Sequence, residues 1–388
     1  MRAGKLGLMQ PSLHGLYVPL ITPFTQDGDL APGALEKLAR HVIDAGAAGL
    51  VIFGTTGEPA TLTAAERHSV LEICARVCRE RGATLIAGAG TNDTAGTLQA
   101  VRDLAARPEV SAALTVVPYY TRPSQEGVIA HFTQVAAGSP VPVIVYNIPY
   151  RTGISLSPGT IRELAGIPGI AGMKHAVSGI DQDTVALLAA LPGDFAVLAG
   201  EDMLVSPLLA LGAAGGILAS AHVCTGEFAR LIAAWRSGAA GPARRIGHRL
   251  VALSAALFAE PNPVVIKGVL HAQGMIPSPA VRLPLLPARQ ETVDAALGVL
   301  NAIQGPADRD LGPPLLLAAD RAPQDRLVPA VGGLARAPLL DAHQPWLDEV
   351  GPGEEPANLL PAAEARLQVH QLCHDVLDAV ERLAVQEV

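Results

Sequence analysis

Lys174 stands alone in Gly169-Ile-Ala-Gly-Met-Lys-His-Ala-Val177, a stretch with no other fully charged side chain that reads as a buried strand. An ammonium in such surroundings is costly, because low dielectric disfavours charge. The usual escape is a depressed pKa, and a neutral amine is a nucleophile that can form a Schiff base with a carbonyl substrate. Taken alone, the residue fits equally well as a lysine near a strand end whose ammonium reaches water. Other polar residues shift that balance. Gly54-Thr-Thr-Gly-Glu58, Pro118-Tyr-Tyr120, Tyr146-Asn-Ile-Pro-Tyr-Arg151 and Gly200-Glu-Asp202 each follow an apolar run, as Lys174 closes one. Their shared placement points to one site.

The elements that must position these groups follow from the apolar pattern. Strand-like runs cover 16–20, 49–53, 85–89, 112–117, 141–146, 169–175, 195–199 and 215–219. Helical spacing fills the gaps at 34–45, 63–81, 94–105, 125–137, 157–164, 180–191 and 203–211. Thr63 with Glu66 three residues later makes a capping-box start for the clearest helix. Near-continuous apolar strands separated by helices imply a parallel sheet covered on both faces. About eight such units over roughly 250 residues favour a closed (β/α)8 TIM barrel over an open doubly wound sheet. In such barrels chemistry sits at the C-terminal ends of the strands, where the polar groups lie. Helical patterns continue through 225–236, 243–258, 263–271 and 288–303, a C-terminal helical layer. Residues 305–361 are proline-dense and read as a linker or appendage; 362–388 regains an amphipathic helical stripe.

Composition narrows the function classes. The chain has 388 residues, 49% of them hydrophobic and 3% aromatic, so Ala, Val, Leu and Ile must build its core. A formal net charge of −8 argues against a nucleic-acid binder. Four cysteines without a CxxC pair suit a reducing cytoplasm. No apolar run follows the basic N-terminal residues, so no signal peptide is expected. Residues 205–224 approach the length of a membrane span, but Pro207 and Gly212-Ala-Ala-Gly-Gly216 divide them into a short helix and a short strand. Gly88-Ala-Gly90 lacks the third glycine of a dinucleotide loop, and no phosphate-loop GK[ST] occurs. His370 and His374, with Cys373 between them, have metal-compatible spacing but read as solvated helix residues. No metal and no organic cofactor are expected.

In the order and spacing of Gly54-Thr-Thr-Gly-Glu58, Val117-Pro-Tyr-Tyr-Thr-Arg-Pro-Ser124, Tyr146-Asn-Ile-Pro149, Arg151-Thr-Gly153, Gly172-Met-Lys174 and Glu260-Pro-Asn-Pro263, residues 12 to 304 resemble the dihydrodipicolinate synthase / N-acetylneuraminate lyase family. Arg151-Thr-Gly153 and Glu260-Pro-Asn-Pro263 look more like its synthase branch. The resemblance implies a barrel with a C-terminal helical layer, usually a homotetramer built as a dimer of dimers, that works without cofactors. It implies that Lys174 forms an iminium with pyruvate and that the derived enamine attacks an aldehyde. In the synthase branch that aldehyde is aspartate semialdehyde, and the product, 4-hydroxy-tetrahydrodipicolinate, feeds lysine and diaminopimelate synthesis. By the family pattern Tyr146, Thr55 and Tyr120 relay protons, with Tyr120 reaching a neighbouring subunit's site. Thr56 and the backbone N–H groups beside Gly54 would hold the pyruvate carboxylate. Arg151 would bind the carboxylate of the second substrate, and the Ile217 carbonyl would face the site.

Some positions depart from the family pattern. His175 stands where an acid is common, His222 where asparagine is frequent, and Tyr150 where a small residue is expected. Both histidines are expected near the mouth, able to influence substrate choice or Lys174. Two rival readings stay open: a paralogous pyruvate-dependent aldolase or lyase acting on a sugar acid or hydroxy-oxoglutarate, and a non-catalytic barrel scaffold. Where the family's lysine-inhibited members bind lysine, Asn92 and Tyr119 are kept, but Gly96 replaces an acid and Pro59, Ala64 and Arg67 replace polar or histidine positions. A bound lysine would lose its main electrostatic partner and meet a like charge at Arg67. Steady-state assays with millimolar L-lysine are therefore expected to show little or no inhibition; strong inhibition would refute this.

Overall fold

Eight parallel strands close on themselves in sequence order. They are β1 (Gly15–Pro19), β2 (Gly49–Ile52), β3 (Thr84–Gly88), β4 (Val110–Val116), β5 (Val143–Asn147), β6 (Ile170–His175), β7 (Ala196–Ala199) and β8 (Gly215–Ile217). The structure, a computed structural model, describes residues 13–304; the expected linker at 305–361, the helix at 362–388 and the His370–His374 pair lie outside them. Around the barrel run α1 (Pro32–Asp44), α2 (Ala64–Arg81), α3 (Thr94–Ala105), α4 (Gln125–Gly138), α5 (Pro149–Thr152), α6 (Pro158–Ala165), α7 (Gln182–Ala190) and α8 (Val205–Ala210). After β8 come α9 (Thr225–Arg236), α10 (Ala240–Leu257), α11 (Val264–Ala272) and α12 (Gln290–Gln304).

Three apolar clusters hold these layers. Tyr17, Val51, Ile86, Leu114, Ile144, Tyr146, Leu198 and Ile217 fill the barrel interior. Val101, Val128, Phe132, Val145, Leu164 and Met173 pack the outer faces of the middle strands against α3, α4 and α6. A larger cluster joins β1 and β2 to α1, α2 and the C-terminal helices through Leu38, Cys74, Phe228, Leu253 and Val269. The expected capping box is present: the Thr63 hydroxyl accepts from the Glu66 N–H and the Glu66 carboxylate accepts from the Thr63 N–H. The apolar run at 205–224 is split between α8 and β8 as its Pro and Gly residues require. No helix among the described residues is long and apolar enough to cross a membrane.

Parallel pairing decides which residues face the interior. β5 and β6 pair Val143 with Ile170, but then Ile144 with Gly172, so one residue of β6 is bulged out of register. Past the bulge, Val145 pairs with Met173 and Tyr146 with Lys174. Val145 and Met173 share the outer cluster, while Tyr146 belongs to the interior one. Because side chains alternate along a strand, the shift puts Lys174 on the inner wall and His175 on the outer one.

His222 is not a residue of the open mouth. It is buried in a 3-10 turn after β8, where its Nε2 accepts from the Ile21 N–H at 3.0 Å and its Nδ1 lies 2.7 Å from the Ala219 carbonyl. Those partners require a neutral ring that donates from Nδ1. Burial lowers the pKa of both His222 and His175 to about 4. Unfolded imidazoles take up protons below about pH 6.5, whereas these two do so only near pH 4. Each therefore makes the fold less stable as pH falls through that window, by roughly 1.4 kcal/mol per unit. Urea unfolding of the His222→Asn variant should show a shallower loss of stability between pH 6.5 and 4 than the parent chain; parallel curves would refute this.

Candidate active site

The site is built from the C-terminal ends of the strands. Lys174 is 7% exposed and its Nζ lies 4.4 Å from the centroid of the Tyr146 ring. Among the described residues it makes no ion pair and no hydrogen bond. The aromatic face is the surface its amine meets, a weak electrostatic partner compared with a carboxylate. Space for the side chain comes from the end of β7. A Cβ added at Gly200 would stand 2.8 Å from Lys174 Cγ, 2.9 Å from its Cε and 2.8 Å from Ala176 Cβ, so any larger residue would force the lysine to shift. The next residue, half-buried Glu201, has its pKa raised to about 6 by burial and then by Asp202, while Lys174 pulls it down. Asp202 is buried, raised mainly by burial, and accepts from the Ser220 N–H at 2.5 Å.

The two threonines sit in a 3-10 turn, Thr55–Gly57, that starts at Gly54 and leaves β2. The first N–H groups of such a turn have no partner inside it. Thr56 is buried, and its hydroxyl accepts from the Asn262 side-chain amide at 2.9 Å, which leaves its own proton free to donate. Thr22 donates to the Gly57 carbonyl at 2.7 Å and holds the turn from the β1 side. Arg151 lies on α5, a four-residue turn of helix that closes at Gly153 with φ of 75°. Its guanidinium stacks 4.8 Å from the centroid of the Tyr150 ring. The bulky residue before the arginine thus serves as its platform.

A cavity of about 640 Å3 opens here, lined by Gly54, Thr55, Tyr119, Tyr146 and Arg151 among others. Arg67 also lines it, with its guanidinium donating to the Pro59 carbonyl and lying 5.4 Å from the Phe53 ring centroid. The structure thus brings Gly54, Thr55, Tyr146 and Arg151 to one cavity, with Lys174 against the Tyr146 ring behind it. Thr56, Lys174 and Ile217 are buried and do not themselves line it. Tyr120 stands apart: it is 86% exposed, with φ of 70°. His175, on the outer wall of β6, has Nδ1 3.4 Å from the Asn147 amide nitrogen and does not share Lys174's surroundings. Among the described residues no three His, Cys, Asp or Glu side chains gather as a metal site would require.

The sequence pattern of the Dihydrodipicolinate synthetase family matches residues 12–303. The chain belongs to that family. It is 40% identical over 286 residues to the 4-hydroxy-tetrahydrodipicolinate synthase of Moorella thermoacetica, covering 74% of this chain and 97% of that one. It is 39% identical to the Synechocystis enzyme of the same name, over 69% of this chain and 87% of the relative. Among solved structures it resembles the 4-hydroxy-tetrahydrodipicolinate synthase of Methylacidiphilum fumariolicum, with a TM-score of 0.71 at 33% identity, covering 75% of this chain and 96% of that one. The chloride-inhibited dihydrodipicolinate synthase of Acinetobacter baumannii, complexed with pyruvate, gives 0.71 at 34% identity, over 74% and 98% of the two chains.

Three features of the site had no role in the sequence reading. Asn262 was legible only as part of a motif, without its bond to Thr56. Gly200 was one of a polar strand-end group, without its contact to the lysine. Lys267 is fully buried and ion-paired to Glu58. It carries the same signal as Lys174, a lone lysine in the apolar run Val264-Val-Ile-Lys-Gly-Val-Leu270.

Proposed function

We propose that this chain is a 4-hydroxy-tetrahydrodipicolinate synthase that condenses pyruvate with L-aspartate 4-semialdehyde, supplying lysine and diaminopimelate synthesis. The observation that carries the reading is Lys174. It is a buried amine with no ion-paired acid among the described residues, at the C-terminal end of a barrel strand, in a chain 40% identical to a synthase. Residues 12–304 form the catalytic unit.

In this reaction the Lys174 amine attacks C2 of pyruvate, and water leaves to give an iminium. A methyl proton departs to a neighbouring hydroxyl, the electron pair moves toward the iminium nitrogen, and an enamine forms. The enamine carbon bonds the aldehyde carbon while the aldehyde oxygen takes a proton. The amine of the semialdehyde then attacks the imine carbon, closes the ring and releases Lys174. Tyr146, beside the amine, and Thr55, on the cavity wall, relay the protons; a phenol with an ordinary pKa near ~10 does this only when held by such partners. The Thr56 hydroxyl and the N–H groups of the turn after Gly54 hold the pyruvate carboxylate. Arg151, backed by Tyr150, receives the carboxylate of the semialdehyde, which its planar fork suits. The Ile217 carbonyl borders the reacting centre. The enzyme acts in the cytoplasm, a reading supported by its buried free thiols Cys74, Cys78 and Cys224.

The working enzyme is a homo-oligomer, a dimer of dimers, in which Tyr120 of one protomer completes the site of its neighbour. An exposed aromatic held in the left-handed region is strained and wets a large apolar surface, and a partner subunit relieves the second cost.

Borohydride reduction in the presence of pyruvate should leave a covalent adduct on Lys174, found by peptide mass spectrometry and lost in Lys174→Ala. Coupled assays should then favour aspartate semialdehyde over sugar acids and hydroxy-oxoglutarate. No adduct would support the scaffold reading, and an adduct with a different preferred aldehyde would support the paralogous aldolase. Mixing inactive Tyr120→Ala and Lys174→Ala chains under subunit exchange should restore part of the activity, because hybrid pairs hold one intact site. No recovery in verified hybrids would place Tyr120 outside the neighbour's site.

A further inference from the structure

The turn that carries Thr55 and Thr56 ends at Glu58, a non-glycine residue with φ of 52° and ψ of 43°. Left-handed backbone at such a residue persists only where its surroundings hold it. The Glu58 side chain points inward and is 2% exposed. One oxygen accepts from Lys267 Nζ at 2.5 Å, and the other accepts from the Arg282 N–H at 3.1 Å. Lys267, on α11, is wholly buried, donates also to the Ala280 carbonyl at 2.9 Å, and lies 4.1 Å from the Phe24 ring centroid. The Arg282 guanidinium stacks near the same ring and pairs with Glu66, the capping residue of α2. Asp29 is the further acid that acts on Arg282. Just before α11, Asn262 donates to Thr56. The C-terminal layer therefore holds the threonine turn at two points: Asn262 on the Thr56 hydroxyl, Lys267 on the residue that closes the turn.

We propose that Lys267, acting through Glu58, is a positioning residue for pyruvate capture, setting the Thr55–Thr56 turn in the geometry that receives the keto acid. The assignment rests on the synthase reading above. A buried pair of this kind adds little stability beyond what two well-packed neutral groups would give, yet losing one partner strands a charge. A pair whose value is orientation should show its loss as weaker pyruvate binding, not as a smaller folded fraction. The pKa of Lys267 is lowered to about 8, by burial first and then by Arg282, against the pull of Glu58. The link therefore weakens in mildly alkaline solution.

The double variant Glu58→Gln/Lys267→Met removes both charges, keeps side-chain size and leaves an oxygen for the Arg282 N–H. With its fold checked by urea unfolding, it should show KM for pyruvate raised roughly tenfold or more at neutral pH, with a smaller change in kcat. The ratio of variant to parent KM should narrow well above pH 8. The parent protein alone should show a reversible alkaline rise in KM for pyruvate, which needs no variant. A folded double variant with unchanged KM for pyruvate, or with kcat lowered and KM unmoved, would overturn the proposal. Borohydride trapping on the parent separates this from the reading beneath it: trapping at Lys174 with unmoved variant KM refutes only the positioning role.

Discussion

A lysine amine held on the inner wall of a closed barrel, facing an aromatic ring instead of a carboxylate, is the constraint around which this chain is arranged. Barrel closure buries the amine, and no acid of the wall is ion-paired to it among the described residues. Its stem fits because β7 ends in a glycine. The acids that feel its charge, Glu201 and Asp202, follow that glycine; Asp202 is committed to a backbone N–H, and Glu201 has its protonated form favoured by burial. Negative charge is thus close enough to be felt by the amine but is not bound to it.

The second buried lysine shows what the same residue does when given a partner. Lys267 meets a carboxylate, a carbonyl and an aromatic face, and has a structural position. Lys174 meets only the last of these, and its hydrogen-bonding capacity is left unfilled. Burial alone does not single out a reactive amine; burial with unfilled bonding capacity beside a cavity is the more specific signal.

Much of this could be read from the chain. Strand runs and helix spacing place all eight βα units, because apolar runs of strand length are separated by well-signalled helix starts such as Thr63 and Glu66. The polar residues at strand ends were legible too, since barrel topology sends every such end to one face. Less was legible where the signal is shared by two environments. Lys267 carries the same sequence cue as Lys174. His222 follows a strand as a mouth residue would, but its ring is spent on the backbone just after β1 and on its own turn. Tyr150 stands out in sequence only by its bulk; its stacking under Arg151 depends on α5, a helix too short to leave a periodic pattern.

The residues themselves determined the barrel, the strand-end placement of Thr55, Thr56, Tyr146, Arg151 and Lys174, and membership of a family with characteristic spacing, because these depend on local periodicity and order along the chain. Tertiary structure decided which way Lys174 points. A one-residue bulge in β6 changes the parity of every residue after it, and pairing with β5 sets where that bulge falls. Without the shift, Met173 would line the interior and Lys174 would face the helices. Cross-strand register is a long-range agreement between two segments, and neither segment states it alone.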